Sequence, residues 1–269
     1  MKTLYLTDLD GTLLRSDGRI SDYTKSTVNR FIREGGIFSY ATARSLGGAT
    51  RVTAGIDWQL SVIVTGGAVI AEPTTQKILL TQYFTREEVE VIRQVFLSHN
   101  ISMTVYAHIN GVERCSFLEN DVGIRAFWAD RPGDPRRREI QHESELYDGD
   151  VFYIVCIGNH KQLSPIRDIF ALDARVNCIY GEDLYTDAIW CELTPAKATK
   201  GVAALKLKTM LDCDSLVVFG DERYDLSMFT VADESYAMSN AISELKEIAT
   251  AVIDSNDNDG VAKWLEKVH

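Results

Sequence analysis

Leu4-Tyr5-Leu6-Thr7-Asp8-Leu9-Asp10-Gly11-Thr12-Leu13-Leu14 joins a short apolar run to two carboxylates, a glycine and a hydroxyl. A strand buried in a parallel sheet is typically a nearly continuous apolar run, so the beginning of this stretch predicts such a strand. Side chains two residues apart on a strand point to the same side, and we therefore expect Asp8 and Asp10 to leave the strand end together. Because clustered charge is costly to desolvate, a hard, oxygen-seeking cation such as Mg²⁺ is expected beside them. The stretch predicts a phosphoryl-transfer site.

Asp-x-Asp-Gly is also an ordinary turn sequence, and it recurs in calcium-binding loops. A calcium loop needs further oxygen ligands after the glycine and a closing glutamate, whereas Thr12-Leu13-Leu14 returns to apolar residues. The calcium-loop interpretation is therefore weak. A simple turn stays open until the rest of the chain is considered.

The composition is that of a globular protein with more than one module. The chain has 269 residues, of which 45% are hydrophobic and 25% charged, so a core domain plus a second module is expected. Its 28 lysines and arginines against 39 acidic residues give a net charge of −11, which disfavours binding to nucleic acid or to an anionic membrane. A phosphorylated substrate would have to be captured by a local cationic site or a metal. No signature indicates the oligomeric state.

The five cysteines are scattered, without any Cys-x-x-Cys pair, and several lie in apolar runs typical of core thiols. The first predicted strand begins within a few residues of Met1, which leaves no room for a secretory segment, and an odd number of cysteines favours a reducing compartment. No apolar run approaches the ~20 residues that span a bilayer. We expect a soluble cytoplasmic protein.

Strands and helices alternate at both ends of the chain, which predicts an α/β fold with a doubly wound, Rossmann-like parallel sheet. The predicted elements at the N-terminal end are a helix over 22–34 capped by Ser21, a strand over 37–42, a helix over 45–54 and a strand over 61–64. Those at the C-terminal end are a helix over 199–211, strands over 215–219, 236–238 and 251–253, and a helix over 261–268.

The middle of the chain has the pattern of an inserted α+β module. Its predicted elements are helices over 86–99 and 161–170 and strands over 101–106, 112–117, 151–157 and 175–180, with a charged turn and a polar helix or loop over 130–145. The predicted domains are a first core segment over 1–84, an α+β cap over 85–187 and a second core segment over 188–269.

Four polar signals fall at or near predicted strand ends, where ligands bind in open α/β sheets. They are Asp8 with Asp10, Thr42 with Arg44, Lys200, and Asp221 with Asp225. If these residues converge, they meet the needs of phosphate-ester cleavage: a carboxylate to attack phosphorus, an acid for the leaving oxygen, a metal site, and a lysine and a hydroxyl for the phosphoryl oxygens.

With these motifs in order, the chain resembles the haloacid dehalogenase-like hydrolases, and among them the Cof-type phosphatases with a large α+β cap (type C2, subfamily IIB). The matching motifs are Asp8-Leu9-Asp10-Gly11-Thr12, Thr42-Ala43-Arg44, Lys200-Gly201 and Gly220-Asp221 with Asp225. Two tail segments, 237–241 and 258–262, also resemble the family. The cap resembles it in size and placement only.

The resemblance implies a role for each motif residue. Asp8 would be the nucleophile that forms an aspartyl-phosphate, and Asp10 the general acid and then base. Thr42, Arg44 and Lys200 would bind the phosphoryl group, and Lys200 is favoured over Lys197 because it directly precedes Gly201. The implied Mg²⁺ ligands are Asp8, the backbone carbonyl of Asp10 and Asp221, with Asp225 beside them or as a further ligand.

The chain departs from the family pattern at Ala43, Gly66 and Tyr224, where glycine, asparagine and asparagine are usual. The absent asparagines remove amides that in the family organise the metal and the substrate phosphate. The expected function is Mg²⁺-dependent hydrolysis of a small phosphorylated metabolite, such as a sugar phosphate. The alternatives are a phosphomutase, or a regulatory protein that binds phosphate esters and has lost efficient catalysis.

Overall fold

The computed structural model describes residues 2–101, 103–118, 122–129, 131–182 and 188–268. It divides into two compact units: the first contains residues 1–81 and 198–269, and the second contains residues 82–197. The second unit is thus an insertion in the first. None of the helices in the described ranges is long and apolar enough to cross a membrane.

The N-terminal part of the first unit alternates strands and helices before ending in two further strands. Its elements are β1 Thr3–Thr7, α1 Asp22–Arg33, β2 Ile37–Tyr40, α2 Leu46–Val52, β3 Val62–Val64, β4 Val69–Ala71 and β5 Ile78–Thr81. Helix α1 begins where predicted because the Ser21 side chain accepts a hydrogen bond from the Thr24 amide. Val28 and Phe31 are the apolar residues of its buried face.

The inserted unit contains three helices and six strands among the described residues. Its elements are α3 Arg86–His99, β6 Thr104–Ile109, β7 Val112–Leu118, α4 Val122–Ala129, β8 Arg137–Ile140, β9 Asp150–Gly158, α5 His160–Phe170, β10 Val176–Glu182 and β11 Ile189–Pro195. The chain then returns to the first unit with α6 Lys200–Met210, β12 Ser215–Gly220, α7 Leu226–Val231, β13 Glu234–Met238, α8 Ser243–Ile248, β14 Ala251–Ile253 and α9 Gly260–Leu265.

The five-stranded sheet of the first unit is parallel, in the order β14-β13-β12-β1-β2. β1 lies between β12 and β2, and its Leu4 and Leu6 are fully buried, as the apolar run predicted. β4 and β5, which form an antiparallel sheet with β3, are not among the strands predicted from the sequence. These strands are short, so their patterns are too brief to distinguish from a loop.

The six-stranded sheet of the second unit has the order β10-β11-β9-β6-β7-β8 and is antiparallel except for the β7–β8 pair. Its apolar core contains buried side chains of α3 and α5, among them Phe96 and Phe170. Trp128 of α4 is also buried, and its ring stacks on Phe117 of β7 with the centroids 5.0 Å apart.

Two regions of the second unit differ from the predictions. β8 lies within the segment expected to be a turn followed by a polar helix or loop. Its arginines interrupt the apolar pattern that would have predicted a strand, and one of them, Arg138, forms an ion pair with Asp148. The predicted boundary at Asp187 lies outside the described residues, but residues 188–197, assigned to the second core segment, lie in the second unit. The reason is that β11 is hydrogen-bonded between β9 and β10.

Candidate active site

The register of the parallel sheet brings three strand ends together. Thr7, the last residue of β1, is opposite Phe219 of β12 on one side and Tyr40 of β2 on the other. The backbone continues the pairing beyond β1, since the Asp8 amide donates to the Phe219 carbonyl at 2.9 Å. Asp8 and Asp221 therefore leave adjacent strands at the same edge of the sheet, as expected for a ligand site in an open α/β fold.

A buried lysine joins two carboxylates at this edge. Lys200 Nζ donates to Asp8 Oδ1 at 2.5 Å and to Asp225 Oδ1 at 2.8 Å. The Lys200 side chain is 2% exposed, and Asp8 and Asp225 are buried as well. Lys197, the competing lysine, is exposed. Lys200 is thus the lysine that contacts the predicted nucleophile.

The start of α6 determines where Lys200 lies. The Thr199 side chain caps the helix by accepting from the Val202 amide, so Lys200 is its first residue. Gly201 follows at a close approach to α7: a Cβ there would lie 2.1 Å from the Ser227 carbonyl oxygen. The glycine after Lys200 therefore lets the first turn of α6 pack closely against α7.

Asp221 and Asp225 are held by the backbone and by a threonine. Asp225 Oδ2 accepts from the amides of Asp221 and Glu222 at 3.0 and 3.1 Å. Asp221 Oδ1 accepts from Thr12 Oγ1 at 2.7 Å. Thr12 belongs to the first motif but had no predicted role of its own. Its hydroxyl links the loop after β1 to the loop after β12.

Gly11 is required at its position by the carboxylate of Asp221. Its φ is +77°, and a Cβ would lie 2.1 Å from Asp221 Oδ2. A side chain here would meet both left-handed backbone strain and a steric clash. The glycine of the first motif therefore makes room for the carboxylate across the strand ends.

Asp10 has different partners from Asp8. Arg44 binds it with two hydrogen bonds, from Nε to Oδ2 at 2.7 Å and from Nη2 to Oδ1 at 2.6 Å. Both side chains are partly exposed, at 27% for Arg44 and 22% for Asp10. Thr42 is buried, and its Oγ1 accepts from the Arg44 amide at 3.1 Å. Arg44, predicted to bind substrate phosphate, contacts a predicted catalytic carboxylate in this structure.

The buried cluster carries more negative than positive charge. Burial raises the pKa of Asp8 well above its ordinary value; Lys200 opposes this, whereas the neighbouring aspartates add to it. Burial and the proximity of Asp225 raise the pKa of Asp221 to about 7, against the hydrogen bond from Thr12. Burial acts to lower the pKa of Lys200, but Asp225 and Asp8 outweigh it, so the net shift is upward. The ammonium stays charged and the carboxylates repel one another.

Three of these carboxylates fit a divalent cation. Asp8, Asp221 and Asp225 each offer a ligand oxygen, and these atoms lie within 4.8 Å of one another. If all three carboxylates were ionised, the cluster with the Lys200 ammonium would have a net charge of −2, which a divalent ion would neutralise. Carboxylate oxygens are hard ligands of the kind that Mg²⁺ prefers. The side-chain carboxylate of Asp10 contacts Arg44 instead. The metal contact predicted for the backbone carbonyl of Asp10 stays a prediction.

Tyr224, the residue that departs from the family pattern, lies next to Lys200. The lysine Nζ is 5.9 Å from the centroid of the Tyr224 ring, at the outer limit of a cation–π contact. The ring is half-buried. Tyr224 therefore lies within the site, with its aromatic ring near the Lys200 ammonium.

Known proteins match this chain over nearly its whole length. The family model for haloacid dehalogenase-like hydrolases matches residues 5–265. The 5-amino-6-(5-phospho-D-ribitylamino)uracil phosphatase YwtE of Bacillus subtilis is 26% identical, and the match covers 97% of this chain and 96% of that protein. A second B. subtilis protein of the same activity, YitU, is 24% identical over 97% of this chain and 95% of its own length.

Solved structures support the fold independently. TM0651 from Thermotoga maritima superposes with a TM-score of 0.80 at 23% identity, covering 100% of this chain and 98% of that one. A haloacid dehalogenase-like hydrolase from B. subtilis gives a TM-score of 0.79 at 22% identity, with both chains covered completely. Family match, fold and phosphatase relatives agree, and the chain belongs to the haloacid dehalogenase-like hydrolases as a phosphatase.

Proposed function

We propose that this phosphatase hydrolyses a small phosphomonoester through an aspartyl-phosphate on Asp8, with Mg²⁺ as its cofactor. The observation that carries the proposal is the buried Lys200, which bridges Asp8 and Asp225 while Asp221 completes a cation-binding group. A buried cluster with excess negative charge is costly unless it serves a ligand. A phosphoryl group with a divalent cation is such a ligand.

In the proposed first step, a carboxylate oxygen of Asp8 attacks phosphorus. The bond between phosphorus and the ester oxygen breaks, and that oxygen takes a proton from Asp10. Lys200 and the hydroxyl of Thr42 stabilise the charge on the non-bridging oxygens. Mg²⁺, held by Asp8, Asp221 and Asp225, would neutralise charge between phosphate and carboxylates.

In the second step, Asp10, now a carboxylate, takes a proton from water as the water attacks phosphorus. The bond from phosphorus to Asp8 breaks, which releases inorganic phosphate and restores both aspartates. Asp10 must be free to act on substrate, yet Arg44 binds it with two hydrogen bonds. We propose that Arg44 exchanges this partner for the substrate phosphate, because a guanidinium binds phosphate and carboxylate with the same geometry.

The substrate class is proposed from the relatives. The names of YwtE and YitU specify a phosphorylated ribityl group attached to a uracil. A phosphorylated sugar or sugar alcohol is therefore the first class of compound to test. We also propose a cytoplasmic location, which is supported by the five cysteines, all within the described residues and all free thiols.

Replacing Asp8 by asparagine tests the nucleophile. The amide keeps an oxygen that can accept from Lys200, so the fold should persist, while turnover should fall by on the order of 10⁴-fold or more. Asp57→Asn, at an exposed aspartate, is the matched control and should keep full activity. Retention of most activity by Asp8→Asn would remove Asp8 from the mechanism.

Metal dependence and reaction type are measured on the unmodified protein. Phosphate release from a panel of phosphorylated metabolites should stop in excess EDTA and return with Mg²⁺; full activity in EDTA would contradict the metal assignment. Inorganic phosphate as the product supports hydrolysis, whereas an isomeric phosphate ester would identify a phosphomutase. Binding of esters without turnover across the panel would instead support a regulatory protein.

A further inference from the structure

Two asparagines near the C-terminus hold the loop that follows β1. Asn240 Nδ2 donates to the Gly11 carbonyl at 2.8 Å, and Asn256 Nδ2 donates to the Leu14 carbonyl at 3.0 Å. The asparagines are also bonded to each other, since the Asn256 amide donates to Asn240 Oδ1 at 3.1 Å. The backbone carbonyls of Gly11 and Leu14 therefore accept hydrogen bonds from two asparagines that are hydrogen-bonded to each other.

The segment that contains Asn240 also holds the loop that bears Asp221. The amide of Ile242, two residues after Asn240, donates to the Asp221 carbonyl at 2.9 Å. Thr12 Oγ1 closes the arrangement with its hydrogen bond to Asp221 Oδ1. Residues 240–242 thus connect the two loops that carry Asp10 and Asp221.

The position of Asn240 requires an amide side chain. The Asn256 amide assigns Oδ1 of Asn240 as an acceptor, which directs its Nδ2 donors to Gly11. Gly11 has the freedom of a residue without a side chain and adopts a φ of +77°, so its peptide orientation depends on such external contacts. Asn240 itself is exposed and is not part of the apolar core, whereas Asn256 is buried.

We propose that Asn240 is a positioning residue for the phosphatase reaction: it fixes the Gly11 peptide, and with it the loop between Asp8 and Thr12, in the orientation that the reaction requires. It acts through the backbone and does not touch the substrate. The expected effect on kcat rests on the proposed catalytic roles of Asp8 and Asp10, whereas the expected effect on the loop does not. The net loss of one such hydrogen bond corresponds to roughly a 5- to 10-fold change in rate.

The test compares Asn240→Ala and Asn240→Asp with Ser16→Ala. The aspartate keeps the acceptor for the Asn256 amide but loses the donor and sets a carboxylate against the Gly11 carbonyl. Ser16→Ala is the matched control, because Ser16 Oγ donates to Asp257 Oδ2 at 2.8 Å and so joins the same two parts of the chain without contacting Gly11. The assays are amide hydrogen exchange over residues 11–14 in metal-free protein, the unfolding midpoint, and kcat and KM for p-nitrophenyl phosphate.

Both Asn240 variants should exchange faster over residues 11–14 and show a kcat lowered roughly 5- to 10-fold with KM within about 2-fold, while their midpoints match that of Ser16→Ala. Unchanged exchange over residues 11–14 would overturn the inference, and so would an equal loss of kcat in Ser16→Ala. If the wild-type protein does not hydrolyse the ester, the exchange measurement still decides the inference, so its failure is distinguishable from failure of the proposed function.

Discussion

Replacing Lys200 by methionine should destabilise the metal-free protein far more than the same change at Lys208 on the same helix. The Lys200 side chain is 2% exposed and contacts two buried carboxylates, of Asp8 and Asp225. The Lys208 ammonium lies 3.2 Å from Asp233, with the two side chains 21% and 54% exposed. Both lysines thus form ion pairs, but only one of them is buried.

The expected difference follows from solvation. Removing one partner of a buried ion pair costs roughly 3–5 kcal/mol, because the remaining charge is left without water or a counter-ion. An exposed pair contributes only about 0–1 kcal/mol. The helix itself acts in the opposite direction, since a cation at the first residue of α6 opposes the macrodipole and its removal favours the helix by ~0.3–1 kcal/mol. The net loss for Lys200→Met should therefore be about 2–5 kcal/mol.

Urea unfolding near neutral pH in excess EDTA measures this difference. Added Mg²⁺ should stabilise Lys200→Met more than the wild type, because the variant leaves three carboxylates without the ammonium. Its kcat should fall by on the order of 10²–10³-fold through loss of charge stabilisation at the phosphoryl group, while Lys208→Met stays active. An unfolding free energy for Lys200→Met equal to that of Lys208→Met would refute the reasoning.

Two further predictions concern the loop after β1 and the C-terminal segment that holds it. Gly11→Ala should weaken Mg²⁺ binding, measured by calorimetry, because its Cβ would clash with Asp221. The control is Gly35→Ala, at a φ of +96° with nothing within 4 Å, which should cost only backbone strain of ~1–2 kcal/mol. Equal Mg²⁺ affinities in the two variants would contradict this prediction. Burial acts to raise the pKa of Asp259, but hydrogen bonds from Arg15, Ser21 and Thr24 outweigh it, so its pKa lies below the ordinary value. A lowered pKa in the folded state stabilises the protein above the ordinary pKa of about 4, and this contribution is lost as pH falls toward the lowered value. Asp259→Asn should therefore lose less stability than the wild type on acidification from neutral pH to about pH 3, measured by urea unfolding; parallel curves would exclude the contribution.

Local sequence patterns were sufficient to predict much of the fold. The helix predicted over residues 86–99 has the same bounds in the structure, because its Thr85 capping box and its apolar spacing are both local signals. The alternation of strands and helices also predicted the parallel sheet. In contrast, β11 looks like a continuation of that rhythm but pairs with β9 and β10 of the second unit. Strand pairing is a long-range choice that a strand's own residues do not specify.

The sequence alone determined the family, because the four motifs in order resemble the haloacid dehalogenase-like hydrolases and so predict a nucleophile, an acid and a lysine before any of them is placed in space. Only the tertiary structure decided how these groups share their partners. β1 ends at Thr7 and the Asp8 amide continues its pairing with β12, yet the Asp8 carboxylate contacts Lys200 whereas the Asp10 carboxylate contacts Arg44. The contacts of Thr12 and Asn240 span more than 200 residues of sequence, and pairing at that separation depends on sheet register and loop closure rather than on any local pattern.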